Sequence, residues 1–476
     1  MQQDNIAVQA SLTSSSMPVS TLVPELTLTL APEELPIQPE SPLNGLMDAQ
    51  DSTSASSLRV NGDRLINTLF DIGAIGALPN TGKSINTGVR RLAFSPEDVQ
   101  ARTRLQHWME ATGMTVRIDA SGNMIGHYPG KFDQAPALAT GSHLDTVPNA
   151  GIYDGTYGVL VGLEVVRTLH ENNVRLDHPL EVIIFADEER TMIGSKAMAG
   201  IANLDPAFYD HPNYEPIRPS LAQIGGDWDQ LGSAQRERGS LTAFIELHVE
   251  QGPVLEAAKN PMGLVTGIVG QRRFIITVDG QASHAGTTPM SMRQDALVAA
   301  SQVVLAVNQL GQMQDEHLTG EQVATVGAMK LFPNVANTIP GRVEMTLDIR
   351  DLSNDCLDKI LEELKQEMAA IASTSGTDIQ IKPQLRNEPV AVSSHIFNAI
   401  SKVCDRLSLE TCSLPSRASH DAQNMANITE MGMIFVPSKD GISHSEKEYT
   451  SPEHCIDGAN VLLHTLLELD KHYRCS

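Results

Sequence analysis

The sequence has few cysteines, few basic residues and no long apolar run, and each shortage excludes a class of protein. Its five cysteines are scattered and form no Cys-x-x-Cys pair. This argues against a disulfide framework or a thiolate zinc site and favours free thiols in a reducing compartment. With 34 Lys and Arg against 58 Asp and Glu, the net charge of −24 argues against nucleic acid or an anionic membrane as a partner. No apolar run approaches the roughly 20 residues of a membrane span.

The N-terminus also lacks the features of a targeting segment. No Lys or Arg precedes Arg59, and the segment contains no apolar core. A secretory signal needs a basic start and an apolar core, and an organelle transit peptide needs arginine. We therefore expect a cytoplasmic protein. Residues 1–57 are rich in Ser, Thr, Pro, Gln and Glu without sustained periodicity, which predicts a disordered tail.

Hydrophobic patterns in the rest of the chain predict an α/β fold with an insertion. Strand-like runs alternate with helical periodicity, which indicates a mostly parallel sheet with functional sites at the carboxyl ends of its strands. Near Pro261 the pattern changes to longer strands with two long helices, and it returns to the first type near Glu388. The predicted division is a tail over 1–57, a first domain over 58–262 and 388–476, and an inserted α+β domain over 263–387.

The segment from Gly141 to Gly158 contains side chains that are common metal ligands. It offers His143, Asp145 and Asp154, and His nitrogen and carboxylate oxygen are ordinary ligands of Zn and Mn. Asp145 is placed to accept a hydrogen bond from the His143 ring and so to fix its tautomer. Alternatively, these residues satisfy backbone groups in a polar loop.

Further candidate ligands follow other predicted strands. The apolar run 183–186 ends in three consecutive acids, 187–189, which repel one another and require compensation by Arg190 or by a metal. Later in the chain His248 follows apolar residues and His444 lies in a loop of small residues, and each histidine alone fits a structural role as well. Taken together, the candidates suit two metal ions bridged by one carboxylate. They are His143, Asp154, Glu189, His248 and His444.

In this combination the motifs resemble those of the dinuclear-metal amidohydrolases, part of the aminoacylase and carboxypeptidase superfamily. That family includes N-carbamoyl-L-amino-acid hydrolase, allantoate amidohydrolase, ureidoglycolate amidohydrolase and β-ureidopropionase. The resemblance covers about residues 60–473, and its H-x-E-Q-G and SHAGTTPM segments favour the carbamoyl and ureido branch. The matching segments in chain order are GSHLDTV, YDGTYG, ADEE, ELHVEQG, QASHAGTTPM, NTIPG, DIRD, SHDA and ISHSE.

The resemblance implies a fold and a metal centre. It implies a metallopeptidase-like catalytic domain with a mostly parallel central sheet, plus an inserted α+β dimerisation or lid domain. It also implies two divalent ions, Zn or Mn. His143 and His248 would bind one ion, Glu189 and His444 the other, and Asp154 would bridge them.

The resemblance assigns catalytic and substrate roles as well. Glu188 would be the general base. His284 and Asn337 would stabilise the oxyanion from the partner subunit, which implies a homodimer. Arg350 would hold the substrate carboxylate with its planar guanidinium. The other positions implied to contact substrate are Gln251 and His420.

These roles imply a metal-dependent hydrolase of linear amide C–N bonds, acting on small N-carbamoyl-L-amino acids or ureido acids such as allantoate and releasing ammonia and carbon dioxide. An aminoacylase or dipeptidase of the same superfamily is one alternative. A catalytically inactive binding homologue is another, because the chain departs from the family pattern after Glu189. The family has Gly-x-Arg-Phe and further residues before Leu-Gly-Ser, whereas here residues 190–192 lead directly to Ile193. Arg417 and Ser419 also stand where the family tends to have glycine.

Overall fold

A computed structural model describes residues 57–79, 88–211, 213–313 and 322–473. The predicted tail over 1–57 therefore lies outside the described residues, except for Ser57. The described part of the chain belongs to one compact unit. The domain boundaries at 262/263 and 387/388 stay predictions.

Helices and strands alternate through the first half of the chain. In chain order the described residues form α1 (Gly62–Gly73), α2 (Pro96–Ala111), β1 (Thr115–Ile118), β2 (Met124–Tyr128), β3 (Ala137–His143), α3 (Thr156–Glu171), β4 (Leu180–Phe185), α4 (Ile193–Met198), α5 (Ile217–Gln223), β5 (Leu241–Val249) and α6 (Val254–Ala258). The second half forms β6 (Met262–Ile268), β7 (Gly270–Asp279), β8 (Ser283–His284), α7 (Ala296–Gly311), β9 (Val323–Phe332), β10 (Thr338–Ile339), β11 (Arg342–Asp351), α8 (Asn354–Ser375), β12 (Asp378–Asn387), β13 (Val390–Ala391), α9 (Ser394–Leu407), β14 (Thr411–Ser416), α10 (Asp421–Met425), β15 (Glu430–Val436) and α11 (Pro452–His472).

The larger sheet is mostly parallel at its centre, which confirms the predicted α/β class. Its order is β1-β2-β4-β3-β5-β15-β6-β13, with β14 beside β6. Strand β3 runs parallel to β4 and β5, and β5 runs parallel to β15. Antiparallel pairs lie towards the edges, including the β1–β2 hairpin. Strand β6 pairs with β14 and β15 of this larger sheet. In the chain it comes just before β7, which belongs to a second, smaller sheet.

The smaller sheet is antiparallel, in the order β12-β7-β11-β9. Apolar residues of β7 and β11, such as Ile276 and Leu347, form one buried cluster with Val303 of α7 and Leu364 of α8. The two helices therefore cover one face of the sheet. Alternation along the strands places polar side chains on the opposite face.

Two helix ends illustrate how local sequence sets the boundaries. Helix α2 begins at Pro96, because Ser95 Oγ accepts a hydrogen bond from Asp98 N at 3.3 Å and proline fits the first turn of a helix. Helix α4 ends at Met198, shortly before Gly200. Gly200 has φ +74° there, the left-handed conformation in which glycine commonly ends a helix.

A buried arginine connects α1 to the loops that follow β3. Arg91 is fully buried and donates hydrogen bonds to Ile72 O (3.0 Å), Ile75 O (2.9 Å), Leu144 O (2.7 Å) and Thr156 Oγ1 (2.8 Å). Burial lowers the pKa of Arg91 to about 10, so the guanidinium remains charged at neutral pH. It fixes the segments on either side of the loop 145–155.

Among the described residues, no helix combines the length and the apolar character that a membrane span requires.

Candidate metal centre

Three neighbouring parallel strands deliver candidate ligands to one edge of the larger sheet. His143 is the last residue of β3, and Glu188 and Glu189 follow β4. His248 lies near the end of β5 on the other side of β3. Because parallel strands end at a common edge, these side chains meet there.

Asp154 lies at the middle of the cluster, with each carboxylate oxygen facing a different group. Its Oδ1 is 3.2 Å from His248 Nε2 and 3.9 Å from His143 Nε2. Its Oδ2 is 3.1 Å from His444 Nε2, which is itself 3.5 Å from Glu189 Oε2. The structure thus brings all five sequence-predicted ligands together.

The ligand atoms fall into two groups that share Asp154. One group is His143, Asp154 and His248, and the other is Asp154, Glu189 and His444; within each group the atoms lie within 4.8 Å of one another. A third such group combines His248 with Glu246 and His420. In it, Glu246 already accepts hydrogen bonds from Ser142 Oγ and Ala422 N.

The cluster has the chemistry of a cation site. Glu189 Oε1 is buried without a hydrogen-bond donor among the described residues. Burial, followed by the charges of Asp421 and Glu189, raises the pKa of Glu188 well above its usual value. Burial and the charges of Asp154 and Asp145 raise the pKa of Glu189 in the same way. Divalent cations would compensate these carboxylates, and a set of His and carboxylate ligands fits Zn or Mn.

Asp154 is held by Gln251, which the resemblance implies as a substrate contact, and by Ser443 and Glu448, which the sequence did not point to. Its Oδ2 accepts hydrogen bonds from Gln251 Nε2 (2.9 Å) and Ser443 Oγ (3.2 Å). Glu448 is buried and accepts from Tyr153 N at 3.1 Å and from Ser443 Oγ at 3.1 Å. Glu448 lies beyond the last recognisable motif, so only the structure identifies it as a positioning residue.

The prediction that Asp145 accepts a hydrogen bond from the His143 ring is confirmed, and the accepting atom is the main-chain carbonyl oxygen. His143 Nδ1 donates to the main-chain carbonyl of Asp145 at 2.9 Å. The Asp145 carboxylate instead accepts the N–H groups of Glu188 (3.4 Å) and Glu189 (3.2 Å), which would otherwise lack partners in this buried turn. The carbonyl still fixes the tautomer, because it leaves Nε2 free to bind a cation.

Gly155 allows the His143 ring to approach the main chain. Its φ is +62°, and a Cβ at this position would lie 2.4 Å from the His143 ring atoms. Any side chain at this position would displace the ring of a candidate ligand. Sterics therefore require glycine at this position of the YDGTYG segment.

The turn after Glu189 is short but ordered. The N–H groups of Thr191 and Met192 donate to Asp187 O at 3.1 and 2.6 Å, and Arg190 pairs with the Asp187 carboxylate at 3.2 Å. Glu188 Oε2 lies 3.5 Å from His143 Nε2. The shortened path therefore still presents its acids to the centre.

The centre opens into a cavity of about 370 Å³ between the two sheets. Gln251, His420 and Arg350 all line it, as do Ala418 and Ser419. Arg350 donates to Asp348 Oδ1 at 2.8 Å and to the main-chain carbonyl of Arg417 at 2.6 Å. Because the second bond uses a backbone oxygen, Arg417 can hold Arg350 without its own side chain.

His284 and Asn337 lie beside each other but do not line this cavity. His284 pairs with Thr338 in the β8–β10 bridge, and Ala285 N donates to Asn337 O at 3.0 Å. Both side chains are exposed. His284 Nδ1 accepts from Gly286 N at 3.0 Å, which leaves its Nε2 directed elsewhere.

Comparison with known proteins identifies the family. The model of Peptidase family M20/M25/M40 matches residues 139–468, a stretch that contains all five candidate ligands. The chain belongs to this family. Among relatives of this M20/M25/M40 member, an N-carbamoyl-L-amino acid amidohydrolase of Geobacillus stearothermophilus is 39% identical over 86% of this chain and 99% of its own.

Two further relatives of this M20/M25/M40 protein agree with that result. The allantoate amidohydrolase of Bacillus subtilis is 33% identical over 82% of this chain and 95% of its own. A crystal structure of an amidase of the hydantoinase/carbamoylase family from Burkholderia multivorans is 37% identical, with a TM-score of 0.79 over 87% of this chain and 98% of that one. The named relatives are amidohydrolases that match along most of their length.

Proposed function

We propose that this family member is a metal-dependent hydrolase of linear amide C–N bonds in N-carbamoyl-L-amino acids or ureido acids, releasing ammonia and carbon dioxide. The observation that carries the proposal is the meeting of two ligand groups at Asp154, in one cavity with Arg350. The identity of 39% to an N-carbamoyl-L-amino acid amidohydrolase supports the substrate class.

We assign the candidate ligands to two divalent ions, Zn or Mn. His143 and His248 would hold one ion, Glu189 and His444 the other, and Asp154 would bridge them. When bound, such ions lower the pKa of water towards about 7 and polarise a carbonyl. The two separate oxygens of Asp154 and the unpartnered Glu189 Oε1 support this assignment.

Two residues of the cavity would act on the substrate itself. Glu188 takes a proton from the attacking water and delivers it to the leaving nitrogen, as general acid–base catalysis requires. Arg350 holds the substrate carboxylate through a charge-assisted pair, and Asp348 fixes its guanidinium at 2.8 Å. Gln251 and His420 border the same space.

The substrate class is tested by ammonia release from the metal-loaded protein. We expect turnover of at least one among allantoate, ureidoglycolate and a small set of N-carbamoyl-L-amino acids. N-acetyl amino acids and dipeptides in the same assay report the aminoacylase or dipeptidase alternative. Turnover of those compounds alone, or of no compound in either set, contradicts the proposal.

We also propose a homodimer in which His284 and Asn337 complete the partner's cavity. Both side chains are exposed and lie away from the cavity of their own chain. The smaller sheet ends in the edge strand β9, which exposes Phe332, and Leu305 of α7 is 62% exposed. An unpaired edge and exposed apolar side chains are features of a surface that another chain covers.

A mixing experiment tests this arrangement. Glu188→Gln and His284→Ala chains are each expected to be nearly inactive, because each lacks a different part of every site. When equal amounts are exchanged, half of the dimers are mixed, and each mixed dimer contains one intact site. Activity should therefore rise to about one quarter of the wild-type value. If no activity returns although mixed dimers have formed, His284 does not act across the interface.

A cytoplasmic location completes the proposal. Among the described residues, Cys404, Cys412 and Cys455 form no disulfide bond, which suits a reducing compartment.

A further inference from the structure

The charged residues that line the cavity outside the metal centre are all basic. Apart from the candidate ligands and Glu188, the charged lining residues are Arg190, Lys196, Arg273 and Arg350. This contrasts with the net charge of −24 of the whole chain. Arg190 is paired with Asp187, and Lys196 donates to Thr191 O at 2.8 Å near the carboxylates of Glu188 and Asp187. The other two basic residues, Arg273 and Arg350, belong to strands β7 and β11 of the smaller sheet.

These arginines belong to a regular grid on the polar face of the smaller sheet. In one row Gln271 of β7 lies opposite Arg350 of β11 and Asn387 of β12. Two residues along, Arg273 lies between Asp348 and Leu385 in the same way. Since residues two apart share a face, all six side chains point to one side, and five of them line the cavity.

Asp348 fixes both guanidinium groups and leaves some of their donors free. Its Oδ2 accepts from Arg273 Nε at 3.2 Å and Nη2 at 3.1 Å, and its Oδ1 accepts from Arg350 Nε. Among the described residues Arg273 Nη1 and the side-chain amide of Asn387 have no hydrogen-bond partner. The guanidinium groups are pre-oriented by a single shared carboxylate, so unused N–H donors face the cavity beside the Arg350 clamp.

Few of the residues that line the cavity have apolar side chains. Of its eighteen lining residues, only Met192, Leu385 and Ala418 are apolar. Pockets that accept apolar groups are lined mainly by apolar and aromatic side chains. The lining therefore favours a substrate whose side chain is polar or anionic.

We propose that Arg273, assisted by Asn387, forms a second anion subsite next to Arg350, so that the preferred substrates are ureido acids with a second carboxylate on the side chain. This inference rests on the proposed function. Diagonal positions on neighbouring antiparallel strands are about 7 Å apart, so one small diacid can reach both guanidinium groups. Arg350 takes the α-carboxylate and Arg273 takes the side-chain carboxylate.

The test compares two substrates of the same shape, N-carbamoyl-L-aspartate and N-carbamoyl-L-asparagine. In the wild-type protein kcat/KM should be at least about tenfold higher for the aspartate compound, because a charge-assisted pair is lost with the amide. Arg273→Gln should lower kcat/KM for the aspartate compound by about 10- to 100-fold and change it for asparagine by less than about threefold. Arg273→Lys keeps the charge and should retain part of the preference.

Arg342→Gln is the matched control. Arg342 lies on β11 outside the cavity lining and is paired with Asp279 at 3.6 Å and Glu344 at 3.4 Å. Its loss should leave kcat/KM unchanged for both substrates. Equal turnover of both substrates by the wild type, or an equal loss for both in Arg273→Gln, overturns the second subsite alone. Hydrolysis of neither compound nor of any other ureido acid overturns the proposed function and this inference with it.

Discussion

Glu188→Gln is expected to lower kcat by about 10²–10⁴-fold on the best ureido substrate. Glutamine has the same shape as glutamate but cannot take a proton from water or return it to the leaving nitrogen. The residue lies at the centre, with Oε2 3.5 Å from His143 Nε2, yet it is not one of the candidate ligands. The metal content of the variant should therefore equal that of the wild type.

Glu110→Gln provides the control for this substitution. Glu110 is exposed on α2 and accepts a hydrogen bond from Gln106 at 2.8 Å, so its loss should leave kcat and metal content unchanged. Steady-state kinetics and elemental analysis on the same preparations give both readouts. A Glu188→Gln protein with wild-type kcat would rule out the general base, and an inactive wild type would favour the binding homologue.

Arg91→Met is expected to destabilise the protein by roughly 3–5 kcal/mol. The substitution leaves Ile72 O, Ile75 O, Leu144 O and Thr156 Oγ1 without their buried donor. Such a loss is a large fraction of the roughly 5–15 kcal/mol by which a folded domain is stable. It should appear as a lower urea midpoint. Metal affinity should fall as well, because Leu144 and Thr156 adjoin His143 and Gly155.

The neighbouring residue gives a control with the same chemistry. Arg90 is exposed, so Arg90→Met should change the free energy of unfolding by no more than about 0.5 kcal/mol. Arg91→Lys keeps the charge but cannot reach four acceptors in different directions. Its urea midpoint should therefore lie between those of Arg91→Met and Arg90→Met. Equal midpoints for Arg90→Met and Arg91→Met would show that the buried arginine does not fasten these segments together.

The parts of the site that could be predicted from sequence are those in which a residue type follows an apolar strand. His143, Glu189 and His248 each stand at or just beyond such a run, and the carboxyl ends of parallel strands share one edge. Asp154 and His444 lie in loops, where strand patterns give no position. Their placement was expected because their segments resemble the amidohydrolase motifs.

Other parts depend on contacts that only the folded chain defines. The choice of the Asp145 carbonyl over its carboxylate follows from two N–H groups in a turn more than forty residues later. Glu448 reaches Tyr153 N across the chain without any motif of its own. The cavity face of the smaller sheet depends on the register between β7, β11 and β12, and no single strand specifies that register.

The sequence alone allows two interpretations of the segment after Glu189, which is shorter than in the family pattern. A shorter path could have withdrawn the acids from the centre, as the inactive-homologue alternative supposed. Instead, the N–H groups of Thr191 and Met192 donate hydrogen bonds to Asp187 O. The Asp145 carboxylate accepts hydrogen bonds from the N–H groups of the two glutamates that precede this turn. The short turn also places Arg190 in the cavity lining.

The most direct test of the metal centre is the stoichiometry of metal binding by the full chain. Protein stripped with a chelator is titrated with Zn or Mn, and bound metal is measured after free metal is removed. The shared position of Asp154 predicts about two ions per chain for the wild type and the loss of tight binding at both sites in Asp154→Asn. Binding of fewer than two ions, or two ions that persist in Asp154→Asn, would contradict a centre bridged by this carboxylate.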